Sequence, residues 1–231
     1  RRALLEQLGG WGEWCITEDA ELGLRVFAAG MDADYVPRSY GQGLMPDTFL
    51  DFKKQRYRWA YGAVQILKRH APALLFGWRT RLTRGQRYHF LAGWVPWLAD
   101  GLNVLFTLGA MFWSTAMILY PRDLEAPVMA FSALPLALFL FKITKLGHLY
   151  MTRVGANVMQ TLGAGIAGLS LSHTIGLAVL RGVATSGEPF FRTPKGGDAG
   201  SLWRALYAAR DELLLMSGLL TAAYLLDRNI P

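Results

Sequence analysis

Asp47-Thr48-Phe49-Leu50-Asp51-Phe52-Lys53-Lys54-Gln55-Arg56-Tyr57-Arg58-Trp59 opens a run whose reading divides the chain into a polar head and an apolar body. Phe49, Phe52, Trp59, Val64 and Leu67 give apolar contacts along it, and Lys53, Lys54, Arg56 and Arg58 surround them. The pattern predicts a basic amphipathic helix from Asp47 to about Arg69, capped by Thr48 or Asp47 and ended by Pro72. A helix of that charge lies in the headgroup plane of a bilayer and does not cross it. Gln55, Arg58 and Trp59 are three and four residues apart, so they share one face. An amide, a guanidinium and an indole thus converge on one spot.

On the N-terminal side, residues 1–48 read as α/β. Arg1-Arg2-Ala3-Leu4-Leu5-Glu6 has the character of the interior of an amphipathic helix, so the chain reads as the C-terminal portion of something longer. That helix ends at Gly9-Gly10, and a Trp-rich connector leads to Thr17. Thr17 suits an N-cap, and Glu18 and Asp19 suit the positive end of the helix that follows. Gly30 is its natural stop. Tyr35-Val36 is expected to form a short strand or extended segment before Pro37, and Ser39 to Pro46 a loop.

On the C-terminal side the charge disappears. Of the 231 residues 52% are hydrophobic and 18% charged, beyond soluble norms. Residues 90–141 and 154–180 are nearly bare of charge. Phe90 to Tyr120 is long enough to span a bilayer, although Asp100 and Asn103 interrupt it. A second span is expected from around Leu124, with Lys142, Lys145 and His148 near its cytoplasmic end. Residues 154–180 are expected to form an interfacial helix, because a span there would carry Arg181, Arg192, Lys195 and Arg204 outside. A last span runs roughly from Leu206 to Leu226. Ten Lys or Arg and one acid lie between Asp51 and Tyr88, directly before the first span. That placement marks a cytoplasmic membrane surface, so the net charge of +7 points to lipid headgroups and not to nucleic acid. The single cysteine, Cys15, excludes a disulfide framework and a cysteine metal cluster, and reads as a buried thiol.

Thr17-Glu18-Asp19 followed by Gln55-Arg56-Tyr57-Arg58-Trp59 resembles the T-E-D and Q-R-x-R-W motifs of membrane-embedded family 2 glycosyltransferases, the cellulose synthase-like enzymes. Phe190, Thr193 and Lys195 in Pro189-Phe190-Phe191-Arg192-Thr193-Pro194-Lys195-Gly196 resemble the F-x-x-T-x-K gating loop of the same family. The resemblance implies the C-terminal part of a GT-A-type domain over 1–48, then an all-α membrane region. Within that region it implies a basic interfacial helix and linker over 49–89, two spans over 90–153, an interfacial helix and gating-type loop over 154–205, and a last span over 206–231. It implies an inverting transferase at the inner membrane, multi-pass and with its catalytic side cytoplasmic. The sugar, glucose by default, moves from a nucleotide diphosphate (UDP-type) donor to a growing β-glucan-like polysaccharide.

Such chemistry needs a base for the acceptor hydroxyl, cations for the departing diphosphate, and a held acceptor ring. The resemblance gives Asp19 the base role and Glu18 an orienting one, with Thr17 as cap. Gln55 and Arg58 meet the donor side, Trp59 stacks on the acceptor sugar, and Phe190, Thr193 and Lys195 cover the nucleotide. A guanidinium fork suits phosphate oxygens, and an indole suits the C–H face of a pyranose. Arg56 and Tyr57 point elsewhere, Arg56 toward headgroups. The family's metal-binding D-x-D precedes T-E-D, and none appears before Thr17. Asp32-Ala33-Asp34 comes after it and is rejected as the site. The ligands of the implied Mg or Mn ion are therefore expected outside this chain, which alone is expected to be inactive. A transporter or channel subunit is the alternative, supported by Asp100 and Lys142, but it leaves Gln55, Arg58 and Trp59 without a use.

Overall fold

The computed structural model describes residues 2–34, 36, 38–44, 46–125, 129–188 and 201–229. All regular structure among them is helical: α1 (Arg2–Gln7), α2 (Glu18–Ala28), α3 (Phe49–Ala71), α4 (Arg84–Leu119), α5 (Met129–Leu149), α6 (Val158–Ala184), α7 (Leu202–Ala208) and α8 (Arg210–Asn229). Single wide π-helical turns at Pro72–Phe76 and Tyr150–Val154 follow α3 and α5. Each ends on a left-handed glycine, Gly77 or Gly155.

The expected α/β character of residues 1–48 is overturned, because no strand occurs among the described residues. Tyr35 lies outside them, and Val36 is exposed in an irregular stretch. Extended residues become a strand only when a neighbouring backbone completes the ladder, and no described segment supplies one here.

The helix ends follow the local chemistry more closely. Thr48 caps α3, its side chain accepting from the Asp51 amide at 3.1 Å. α2 begins at Glu18 with three acids in its first turn and ends before Gly30, whose φ is +81°. Thr17 holds the N-cap position of α2, yet its hydroxyl makes no cap bond and lies 3.3 Å from the Cys15 sulfur. The expected final helix from Leu206 divides at Ala209, since Arg210, Asp211 and Glu212 open a fresh N-terminus.

Two compact units divide the chain: Arg1–Val104 with His173–Ala208, and Leu105–Ser172 with Ala209–Pro231. In the first, the core gathers Cys15, Leu24, Ile66, Leu74 and Leu82, with Phe27, Phe90 and Trp94 packed against it. α3 is at its centre. From Ala60 to Ile66 every residue is buried, so this half of the basic helix is a core helix and not a surface one. The small Ala60, Gly62 and Ala63 let neighbours approach it. The C-terminal third of α6 lies alongside: a Cβ on Gly182 would come within 2.9 Å of the Val64 Cβ, and Lys68 donates to the carbonyls of Gly182, Val183 and Thr185 at 3.0–3.1 Å. Asp100, in α4, is buried at 9% exposure, and its backbone meets Gly176 of α6.

In the second unit, a Cβ on Gly218 of α8 would press on the Met111 side chain of α4, while Phe106, Phe112 and Leu119 stand exposed. Among the described residues α4 and α6 are long and apolar enough to cross a membrane. Residues 154–180, expected at the interface, lie mostly in α6.

Candidate active site

The start of α2 and the middle of α3 frame one small cavity. About 210 Å³ in volume, it is lined by Thr17, Asp19, Ala20, Trp59, Ala63, Ile66, Trp94 and Trp97. Asp19 and Trp59, from segments about forty residues apart, therefore face the same space. On α3, Trp59, Ala63 and Ile66 are four and three residues apart and form the stripe that lines it. Trp94 and Trp97 come from α4, three residues apart on its other wall.

Asp19 is exposed at the start of α2, and its Oδ1 accepts from the Ala20 amide at 2.8 Å. Trp59 is 40% exposed. The Arg56 guanidinium sits 4.5 Å from its ring centre and 4.9 Å from that of Phe52. Arg56 thus braces the indole. Glu18, Gln55 and Arg58 are half-buried and do not line the cavity. Tyr57 does point away, stacking on Tyr61. Its hydroxyl is raised above the ordinary tyrosine value by burial and by the Glu188 charge, against a lowering from Arg181. Phe190, Thr193 and Lys195 lie outside the described residues.

The T-E-D segment is fastened to α3 at several points that the sequence did not single out. Glu21, only 1% exposed, pairs with Arg25 at 2.8 Å and with His70 of α3 at 3.1 Å. The Arg25 guanidinium in turn donates to the carbonyls of Leu8 and Gly10. Arg69 lies over the Trp14 ring at 4.4 Å. Burial pushes the Cys15 thiol above the ordinary cysteine value, more than the Thr17 hydroxyl beside it lowers it. That makes Cys15 a packed thiol and a poor nucleophile.

Gly62 is the closest point of approach, because any Cβ there would overlap the Thr17 side chain, reaching within 2.6 Å of its Cγ2. Threonine is too short to swing clear. Gly62→Ala is expected to destabilise the protein by roughly 1–3 kcal/mol through overpacking. Thermal unfolding should show this loss, and Thr17→Ala in the same protein should recover part of it. An unchanged midpoint in Gly62→Ala would mean that the two segments are not in contact.

Among the described residues no group of three or more His, Cys, Asp or Glu side chains is gathered to hold a metal ion. Asp32 and Asp34 stand exposed in the irregular stretch after α2. The divalent cation that the family resemblance implies finds no fitting donor set among the described residues.

Comparison with known proteins adds an independent line. The model of a family described as glycosyl transferase family group 2 matches residues 1–143. A cellulose synthase 1 catalytic subunit (UDP-forming) of Komagataeibacter xylinus is 27% identical over 157 residues, covering 68% of this chain and 19% of the relative. A cellulose synthase 1 of the same organism is 30% identical over 148 residues, covering 64% of this chain and 9% of the relative. A probable glucomannan 4-beta-mannosyltransferase 2 of Oryza sativa subsp. japonica is 26% identical over 91 residues, covering 39% of this chain and 15% of the relative. The chain spans less than a fifth of the length of these relatives. No solved structure matches it.

Proposed function

The chain belongs to the glycosyl transferase family group 2, and on that footing we propose that it forms the acceptor and leaving-group side of an inverting, membrane-bound polysaccharide synthase. The observation that carries the reading is the cavity that Asp19 and Trp59 line together. Its size admits roughly one sugar ring, and it pairs a proton acceptor with an aromatic platform.

In this mechanism the terminal sugar of the growing polymer lies against the indole of Trp59. Asp19 takes the proton of the acceptor hydroxyl as its oxygen bonds to the anomeric carbon of the donor. The bond from that carbon to the diphosphate breaks, its electron pair leaves with the nucleotide diphosphate, and the configuration inverts. Arg58 and Gln55 meet the developing negative charge. Glu18 orients the start of α2, and Thr17 fixes that start against Gly62. Phe190, Thr193 and Lys195 cover the nucleotide. A divalent cation, where bound, would neutralise the departing diphosphate; the described residues gather no donor set for it. α4 crosses the inner membrane, and the cations between Lys53 and Arg87 keep the site on the cytoplasmic side.

Glucose from a uridine nucleotide is the proposed sugar; the likeness to cellulose synthases supports glucose, and the name of the rice relative gives mannose as the competitor to exclude. The test is incorporation of radiolabel from UDP-glucose and from GDP-mannose by membranes carrying the complete gene product. Polymer labelled from UDP-glucose and degraded by a β-glucanase is the expected result. Polymer labelled from GDP-mannose alone would replace the sugar, and no polymer from any nucleotide sugar would overturn the function.

A further inference from the structure

Gln65 is 5% exposed, and its carboxamide is engaged on both ends. Its Oε1 accepts from the Ile16 amide at 3.2 Å. Its Nε2 donates to the Trp14 carbonyl at 3.2 Å and to the Ser186 carbonyl, just past the end of α6, at 3.3 Å. A primary amide offers two donors and an acceptor on one rigid plane, and here each meets a backbone group. Neither a carboxylate nor an apolar side chain of that size can do the same. A carboxylate would set oxygens against two carbonyls, and an apolar group would leave the Ile16 amide and the Trp14 and Ser186 carbonyls without these bonds.

Gln65 is six residues beyond Trp59, so it sits roughly 120° round α3 from the cavity stripe. It does not line the cavity. Instead it belongs to a second stripe, Gly62, Gln65 and Arg69, which meets the connector before α2 in reverse order. Thr17 rests on Gly62, Ile16 and Trp14 bond to Gln65, and the Trp14 ring lies under Arg69. One helix thus carries Trp59 on one stripe and fixes the approach to Asp19 with another.

We propose that Gln65 is a positioning residue for transfer: its carboxamide sets the register of the Trp14–Thr17 connector on α3, and so holds Asp19 at its working distance from the sugar stacked on Trp59. The proposal rests on Asp19 being the base. A base displaced by about 1 Å can cost roughly 10²-fold in rate, while donor binding, made elsewhere, is unaffected.

The test compares Gln65→Leu, Gln65→Glu, Lys68→Met and Asp19→Asn in the complete protein, with labelled UDP-glucose as donor and rates normalised to folded protein in membranes. Lys68 serves as the control because it also binds the exit of α6 but makes no bond to the connector. Both Gln65 variants are expected to lose roughly 10- to 100-fold in kcat with donor KM within about threefold of wild type. Lys68→Met should lose thermal stability and keep kcat. Hydrogen exchange supplies a readout independent of turnover: in Gln65→Leu the peptide containing Ile16 should exchange at least about tenfold faster while the Ala60–Ile66 peptide is unchanged. Wild-type kcat in the Gln65 variants, an equal kcat loss in Lys68→Met, or unaltered exchange at Ile16 would each overturn the proposal. Full activity in Asp19→Asn would instead overturn the assignment of the base, so the two failures are distinguishable.

Discussion

Asp19→Asn is expected to cut sugar transfer by roughly 10²–10⁴-fold, the range that removal of a general base produces. The substitution keeps the shape of the side chain and a carbonyl oxygen for the bond from the Ala20 amide. It removes the ability to take a proton from the acceptor hydroxyl. Because Asp19 is exposed, packing is not disturbed, and the lost charge at the start of α2 costs at most about 1 kcal/mol. Stability therefore stays near wild type while turnover collapses. Binding of the nucleotide, measured by competition with labelled UDP, should be nearly unchanged. If transfer and stability fell together, Asp19 would be a helix-start residue and nothing more.

Trp59→Ala is expected to reduce transfer by about 10²-fold at limiting acceptor, with the loss in the acceptor terms and not in donor KM. The indole has one face toward the Arg56 guanidinium, which holds the ring in place by a cation–π contact. The part of the ring lining the cavity is what a pyranose would meet. Trp59→Phe should retain more activity than Trp59→Ala, since a smaller ring still offers a stacking surface. The competing role is that of an interfacial anchor. An anchor mutant would leave the membrane fraction and keep normal turnover in the part that remains. Measuring membrane partition alongside turnover separates the two roles.

Much of the local structure was legible because it is governed by residues close in sequence. The acids after Thr17, the Thr48 hydroxyl, Gly30 and Pro72 each act on the backbone within a turn of themselves. The strand at Tyr35-Val36 failed for the opposite reason: its formation depends on a partner strand, which local pattern cannot supply. The burial of Ala60–Ile66 was hidden by the charge on either side of it, because Lys53 to Arg58 dominate the helical pattern. The contacts of Arg56 with the rings of Phe52 and Trp59, four and three residues away, were overlooked because its charge alone was read.

The site was legible in part. The motif letters located Asp19 and Trp59, which line one cavity, whereas Gln55 and Arg58 share the helix but not that wall. Trp94 and Trp97 were absorbed into an apolar run, although their spacing of three was a usable sign. Glu21, His70 and Gln65 gave no signal in the sequence, since each gains its meaning from a partner dozens of residues away. Buried polar groups of this kind become visible only when the backbone that satisfies them is seen.

The central claim is that Asp19 and Trp59 act on one acceptor in one cavity. A double-mutant cycle on transfer tests it most directly, with Asp19→Asn, Trp59→Ala and the double variant assayed for label from UDP-glucose at equal membrane abundance. Groups serving the same reacting hydroxyl should couple, leaving the double variant less impaired than the product of the single losses by at least about 1 kcal/mol. Losses that multiply to within about 0.5 kcal/mol, or wild-type transfer in either single variant, would contradict it.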